Sequence, residues 1–276
     1  MTTRRASDDR VLLTTRVVSA AIIPFLVLAF VVLFLWPSDT KRLLAWQIKP
    51  TMSPMVLGSV YLGGAYFFFR AVRSSKWHTV AGGFLPVGTF ASLMAITTVL
   101  HWDRFIHTNL AFWLWVALYF TTPFIVFAVF FRNYRQYEPG TDGDLTIPPA
   151  AATAIVVAAA AAVLTSAFLY LFPHQAVDIW PWKLTPLTAR MLGAIFALGL
   201  AGFGAARERR WSAARILLQV EGLMLLLILV AGVRARSEFD ASNVLTWLFA
   251  AGFGATALAT AALYIRMELR ARQRSL

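Results

Sequence analysis

The stretch Trp46-Gln47-Ile48-Lys49-Pro50-Thr51 has a counterpart 134 positions later, Trp180-Pro181-Trp182-Lys183-Leu184-Thr185. Trp77, Phe105, Asn109, Trp113, Leu114, Thr122 and Arg132 recur at the same offset as Trp211, Phe239, Asn243, Trp247, Leu248, Thr256 and Arg266. Gly58 and Gly193 match after a one-residue slip. One shared offset should align about 0.2 Trp pairs by chance, yet Trp46, Trp77 and Trp113 all find a Trp. The sequence therefore reads as an internal duplication.

The duplicated text is very apolar. Of 276 residues, 59% are hydrophobic and 14% charged, a balance that excludes a soluble globular domain of this size. A net charge of +12 raises nucleic acid as a partner. That reading is set aside, because the basic residues sit at the ends of apolar runs and form no stripe. The absence of Cys removes disulfides, thiolate metal sites and Cys nucleophiles.

Eight apolar runs are each long enough to cross a hydrocarbon core of about 30 Å. They are Val17–Trp36, Met52–Phe69, Thr79–Leu100, Leu110–Phe131, Ala150–Phe172, Leu187–Ala206, Ser212–Val233 and Val244–Ile265. The expected fold is all-α: a polytopic membrane protein whose eight transmembrane helices form two parallel four-helix repeats (4+4). An N-terminal segment, 1–16, precedes a first repeat over 17–132. A polar linker, 133–149, carries Pro139, Gly140, Asp142, Gly143 and Asp144; the second repeat covers 150–266 and a basic tail 267–276. With four helices per repeat, both halves enter the membrane in the same sense, related by a rotation of about 180° near the membrane normal.

Lys and Arg counts set the orientation. Seventeen of the 25 basic residues fall in segments on the side of the termini, which leaves eight on the other. The positive-inside rule then makes both termini cytoplasmic. Arg4-Arg5 before an apolar run resembles a secretory or twin-arginine start. The run is long and ends Leu35-Trp36-Pro37 with no small-x-small cleavage site, so it reads as an uncleaved first span.

Candidate site residues fall into three groups. On the outer side, Trp46, Lys49, Thr51 and Asn109 from one repeat, with Trp180, Lys183, Thr185 and Asn243 from the other, would surround an anionic or amphipathic ligand. The alternative is structural: Trp and Lys as interfacial anchors, Asn and Thr as helix caps. In the anchoring arrangement Trp46 and Trp180 lie flat in the interface, Phe105 and Phe239 turn inward, and Trp77 and Trp211 form the opposite aromatic belt. His101, Asp103 and His107 are weak metal candidates, since the second copy has no His at either place. Asp103–Arg104 and Arg236–Glu238 read as local ion pairs.

Glu221 is the third. It falls near mid-membrane, where a carboxylate is a functional candidate by default, and Gln219 lies close by as a second coupling residue. Glu221 has Val87 as its counterpart and so breaks the symmetry. No Walker loop, G-x-G-x-x-G, H-E-x-x-H or G-x-S-x-G motif occurs, and no cofactor is expected.

The repeated Trp-x-x-Lys segments, Leu57-Gly58 with Tyr61-Leu62-Gly63-Gly64, and the loop His101-Trp102-Asp103-Arg104-Phe105 resemble a group of bacterial multi-pass membrane proteins to which no activity is assigned. The resemblance covers most of the chain and implies a bacterial cytoplasmic (inner) membrane, with the lipid bilayer as the first partner. Three functions stay open. One is a small-molecule transport or ligand-binding protein. The second is a non-catalytic accessory subunit packed against another membrane protein. The third is an intramembrane enzyme acting on lipid or quinone. A cavity between the halves reaching Glu221 favours the first, and a filled core with an exposed small-residue face the second.

Overall fold

The computed structural model describes residues 8–137 and 143–274. Arg4, Arg5, Pro139, Gly140 and Asp142 lie outside the described residues. Eight helices are long and apolar enough to cross a membrane: α1 Leu13–Leu35, α2 Met52–Arg73, α3 His78–Leu100, α4 Leu110–Tyr134, α5 Pro149–Leu171, α6 Pro186–Glu208, α7 Trp211–Arg234 and α8 Val244–Arg274. Among the described residues there is no strand, only isolated bridges. Each expected span coincides with one of these helices. The largest difference is at the end of α8, which runs nine residues beyond Ile265 and reaches about 46 Å at 1.5 Å per residue.

Local chemistry explains the helix ends. Asn109 and Asn243 are N-caps for α4 and α8, accepting from Ala111 N at 3.1 Å and Leu245 N at 2.9 Å. Thr185 caps α6 by accepting from Thr188 N, and Pro186 follows at the first helical position, where a missing N–H leaves no bond unmade. α1 ends in a π-helical turn over Val31–Leu35, and α6 passes through a 3₁₀ turn at Ala197–Gly199.

The helices form an inner and an outer set. α2 packs on α7, and α3 on both α6 and α7, so these four make the centre. Around them α1 lies on α2, α4 on α3, α5 on α6 and α8 on α7. Exposure follows: 67% of the apolar window of α2 is buried, against 6% of that of α8. A helix apolar on all sides and left this exposed is one that faces lipid.

Close approach of the outer helices α1 and α5 to the inner α2 and α6 depends on glycine. A Cβ on Gly58 would lie 3.0 Å from the Phe34 Cβ, and one on Gly193 3.0 Å from the Ser166 carbonyl oxygen. Ser166 Oγ donates to the Gly193 carbonyl at 2.7 Å, so α5 and α6 are bonded where they touch.

Residues 8–11, 74–78, 143–147 and 209–212 meet at the face that carries the termini. There Val11 N donates to Ser75 O and Trp77 N to Asp9 O, while Ile147 N donates to Arg209 O and Trp211 N to Leu145 O. At the far face one apolar core spans the molecule, with Trp46, Met52, Trp115, Trp182 and Leu187 among its members. At the termini face two smaller cores form instead, one around Trp77 and Phe84, the other around Trp211 and Ile147.

Candidate functional site

An apolar cavity of about 1440 Å³, partly open at the protein surface, is bordered by residues of all eight spans. Its width has a local cause. α5 turns Ala154, Ala158 and Ala162 toward it, and α8 turns Gly252, Ala255 and Ala259, so the walls that these two helices supply are low. α1 packs against α4, whereas α5 and α8 make at most a marginal contact. The lining is almost entirely aliphatic and aromatic. Its polar side chains are Tyr61, Tyr119, a few threonines and Glu221. The Tyr61 and Tyr119 hydroxyls are buried and bonded to each other at 2.6 Å.

Glu221 is ten residues past Trp211, the first residue of α7, roughly 15 Å along the helix and near its middle. It is partly buried, lines the cavity, and forms no hydrogen bond or ion pair with a described residue. Gln219 does not join it. Residues two apart point to different sides of a helix, and Gln219 is bonded elsewhere. Its Oε1 accepts from the Tyr66 hydroxyl at 2.8 Å and from Arg70, and its Nε2 donates to the Tyr264 hydroxyl at 2.6 Å. Nearby, Arg215 pairs with Glu268 at 2.6 Å. Gln219 thus ties α2, α7 and α8 together.

The outer candidates are mostly used by the fold. Trp46 is 2% exposed, packed on Phe105 at 5.1 Å and Trp115 at 4.8 Å, so it is a core residue and not an interfacial anchor. Trp180 packs on Trp182 and Phe196 and is partly buried. Trp182, which sequence reading passed over, has the surroundings of Trp46: it is 3% exposed and packs on Phe239 at 5.2 Å and Phe249 at 5.1 Å. Phe105 turns inward as expected, and Phe239 is partly buried. Trp77 and Trp211, expected in an aromatic belt, are 1% and 4% exposed. They are core residues because each begins a helix that packs in the centre. Asn109 and Asn243 also donate Nδ2 to chain carbonyls, of Arg42 and Leu44 and of Ile179 and Trp180.

Thr51 is held by Glu238, whose Oε1 accepts from Thr51 N at 2.8 Å and Thr51 Oγ1 at 2.6 Å, while its Oε2 accepts from Met52 N at 2.8 Å. Glu238 was expected to pair with Arg236; it instead caps α2 from the other half of the chain, where the free N–H groups of a helix start favour a carboxylate. Lys49 and Lys183 are exposed to solvent. Asp103 and Arg104 do pair, at 3.3 Å, in the exposed loop.

His101, Asp103 and His107 form no metal cluster; no group of three or more possible ligands occurs among the described residues. Arg190 explains this in part. Its Nη1 donates to His101 Nε2 at 2.6 Å, and its Nε to the Tyr170 carbonyl at 3.3 Å. Burial, and then the adjacent Arg190 charge, hold the His101 imidazole below its ordinary pKa. The His107 ring packs on Phe112 at 4.7 Å and Trp102 at 5.4 Å.

A polar chain at the termini face was missed by sequence reading. Asp9 Oδ2 meets His78 Nδ1 at 2.5 Å, and His78 Nε2 meets Ser212 Oγ at 2.9 Å. Ser212 Oγ in turn donates to Asp144. Each Asp also accepts a backbone N–H at a helix start, His78 N at 3.0 Å and Ser212 N at 3.1 Å. Asp, His and Ser stand in the order of a nucleophilic relay. The hydroxyl proton, however, goes to Asp144, and His78 is 6% exposed with no place on the cavity wall. The chain is a clasp. Its sequence signal was the residue following each repeated Trp, His78 after Trp77 and Ser212 after Trp211.

These features define the class: an all-helical, multi-pass membrane protein with a large, partly open apolar cavity bordered by its eight spans. The chain matches no protein-family model, no curated protein and no solved structure.

Proposed function

We propose that the protein binds lipophilic small molecules inside the membrane and moves them across it. The observation that carries this reading is the cavity of about 1440 Å³, larger than ordinary ligand pockets of about 300–1,000 Å³. In a bilayer, an apolar space walled by aliphatic and aromatic side chains offers no advantage to a polar solute. It suits a ligand already dissolved in lipid. Of the outer group, Trp180 borders this cavity, while Trp46, Lys49, Thr51, Asn109, Lys183, Thr185 and Asn243 do not.

The test is to fill the cavity. Ala158→Phe and Ala255→Phe in the purified protein should each abolish binding of a neutral fluorescent lipophile such as phenylnaphthylamine while leaving thermal stability within a few degrees. Unchanged binding in both folded variants would overturn the reading.

A second reading is favoured by α8, where only 6% of the apolar window is buried and a Cβ on Gly254, which does not line the cavity, would meet nothing within 4 Å. That open small-residue face suits an accessory subunit packed against another membrane protein. A partner chain co-purifying at native expression, with cavity variants indifferent, would select it over transport.

We further infer that the chain is a parallel 4+4 duplication with both termini cytoplasmic, in a bacterial inner membrane. Recurring contacts support this. Trp113 Nε1 donates to His107 O at 3.0 Å and Trp247 Nε1 to Ala241 O at 3.1 Å. Ile106 N donates to Ala45 O and Asp240 N to Pro181 O, which pairs Trp46 with Trp182 and not with Trp180. Since the chain has no Cys, single cysteines at Arg135 and Lys183 give a clean labelling test. Lys183Cys should react with an impermeant maleimide from outside the cell, and Arg135Cys only after lysis.

A further inference from the structure

We propose that the cavity selects lipophilic cations and that Glu221 is their counter-ion. The proposal rests on the cavity-binding reading above and narrows its substrate class. Three observations carry it. Glu221 is the one carboxylate on the cavity wall, and it has no hydrogen bond or ion pair with a described residue. Among the described residues no Lys, Arg or His lines the cavity, so none of them is placed to neutralise it there. The nearest basic group on its own helix, Arg215, is engaged by Glu268.

α2, α3 and α8, which pack on α7, line the cavity only with neutral groups, among them Gly64, Val87 and Thr260, and so do α5 and α6. Arg70 reaches the region from α2 but is bonded to Tyr66 and Gln219. Elsewhere the fold pairs its acids: Asp9 with His78, Glu268 with Arg215, Glu238 with the start of α2. Asp178 also lacks a described partner but is exposed to solvent, whereas Glu221 lacks one while partly buried. A carboxylate without a partner at mid-membrane is destabilising, and a ligand bearing one positive charge removes that penalty as it binds.

The rest of the wall suits the same ligand. Phe90, Trp115, Phe196, Phe249 and Phe253 supply ring faces, which attract a cation through their quadrupoles and pack against its apolar body. An anion meets the opposite arrangement, with a carboxylate and no donor of positive charge. A neutral lipophile finds the apolar wall but no ion pair. Selectivity for charge therefore resides in one residue, whereas affinity for apolar bulk is spread over the cavity.

The experiment compares tetraphenylphosphonium with triphenylphosphine oxide, a neutral probe of similar shape, on the full chain in lipid nanodiscs, using tryptophan fluorescence and calorimetry. The cation should bind wild-type protein about tenfold or more tightly than the neutral probe. Glu221→Gln should lose that margin while binding the neutral probe as before, and Glu221→Asp should keep part of it. Equal affinity of wild-type protein for the two probes, or a preference for the neutral one, overturns the proposal whether or not the Gln variant folds. A cation margin that persists in a folded Glu221→Gln variant overturns it as well. If neither probe binds, the cavity reading fails, and that outcome is distinct from a loss of charge selectivity alone.

Discussion

His78 Nε2 lies 2.9 Å from Ser212 Oγ, joining two residues 134 positions apart in the sequence and each seated at the start of a central helix. Asp9 and Asp144 extend the contact on either side, so a four-residue polar chain crosses the termini face. The two halves share one apolar core at the far face but have largely separate cores here. Polar contacts therefore do at this face what side-chain packing does at the other.

Breaking the clasp tests this division. His78→Ala and Ser212→Ala should each lower stability by about 1–3 kcal/mol, the usual penalty for stranding a buried partner. The double variant should lose less than the sum, with a coupling of about 1 kcal/mol. Strict additivity in thermal or denaturant unfolding would mean that the two side chains do not interact.

How much of this was legible in the sequence differs by level. The eight spans were, because lipid tolerates little besides helices and a run of about 20 apolar residues leaves few alternatives. Glu221 stood out because a carboxylate amid aliphatic residues needs no structure to be noticed. The roles of Trp46 and Trp77 were misread, since interfacial and core tryptophans carry the same composition and differ only in what packs on them. The clasp was hidden because Asp9 and Asp144 lie far from His78 and Ser212 in sequence. Glu238 looked like half of a local ion pair; only the packing of α7 on α2 brings it to Thr51.

Glu238 gives a second prediction. Both its oxygens accept, so Glu238→Gln places an amide NH₂ against the Met52 or Thr51 N–H, and Glu238→Ala leaves those groups bare. Either should cost about 1–2 kcal/mol through the loss of an N-cap. Hydrogen exchange at the Thr51 and Met52 amides should accelerate, with α6, capped by its own Thr185, unaffected. Equal acceleration in both helices would indicate general loosening instead.

His101 sets a pH dependence. Burial and Arg190 lower its pKa in the folded protein, while Asp103 acts in the opposite sense with smaller effect. Below about 6.5, the value of a free imidazole, the unfolded chain takes up a proton that the folded chain does not. Stability therefore rises with pH across this window, and its His101 contribution is lost as pH falls from about 6.5 through the lowered folded value. Melting temperatures at pH 7.5 and pH 5 should differ less in His101→Gln, whose amide oxygen still accepts from Arg190. An identical pH response in that variant would place the effect on another group.

The glycines separate two kinds of close contact. A Cβ on Gly63 would overlap the Met224 side chain, a flexible thioether that can change rotamer. A Cβ on Gly193 would lie 3.0 Å from the Ser166 carbonyl oxygen and 3.1 Å from the Tyr170 backbone nitrogen. Those atoms belong to the α5 main chain and cannot turn aside, so the two helices must move apart along their contact. Separation would also stretch the 2.7 Å hydrogen bond from Ser166 Oγ to the Gly193 carbonyl. Gly193→Ala should therefore destabilise by about 1–3 kcal/mol, as overpacking of a tight interface does, and Gly63→Ala by less, although its nominal overlap is greater. Gly204→Ala, with nothing within 4 Å, should be neutral or slightly stabilising through helix propensity. Thermal unfolding of the three variants side by side checks the order. A larger loss for Gly63→Ala than for Gly193→Ala would mean that Met224 is held rigidly and that α5 yields more readily than a packed main chain should.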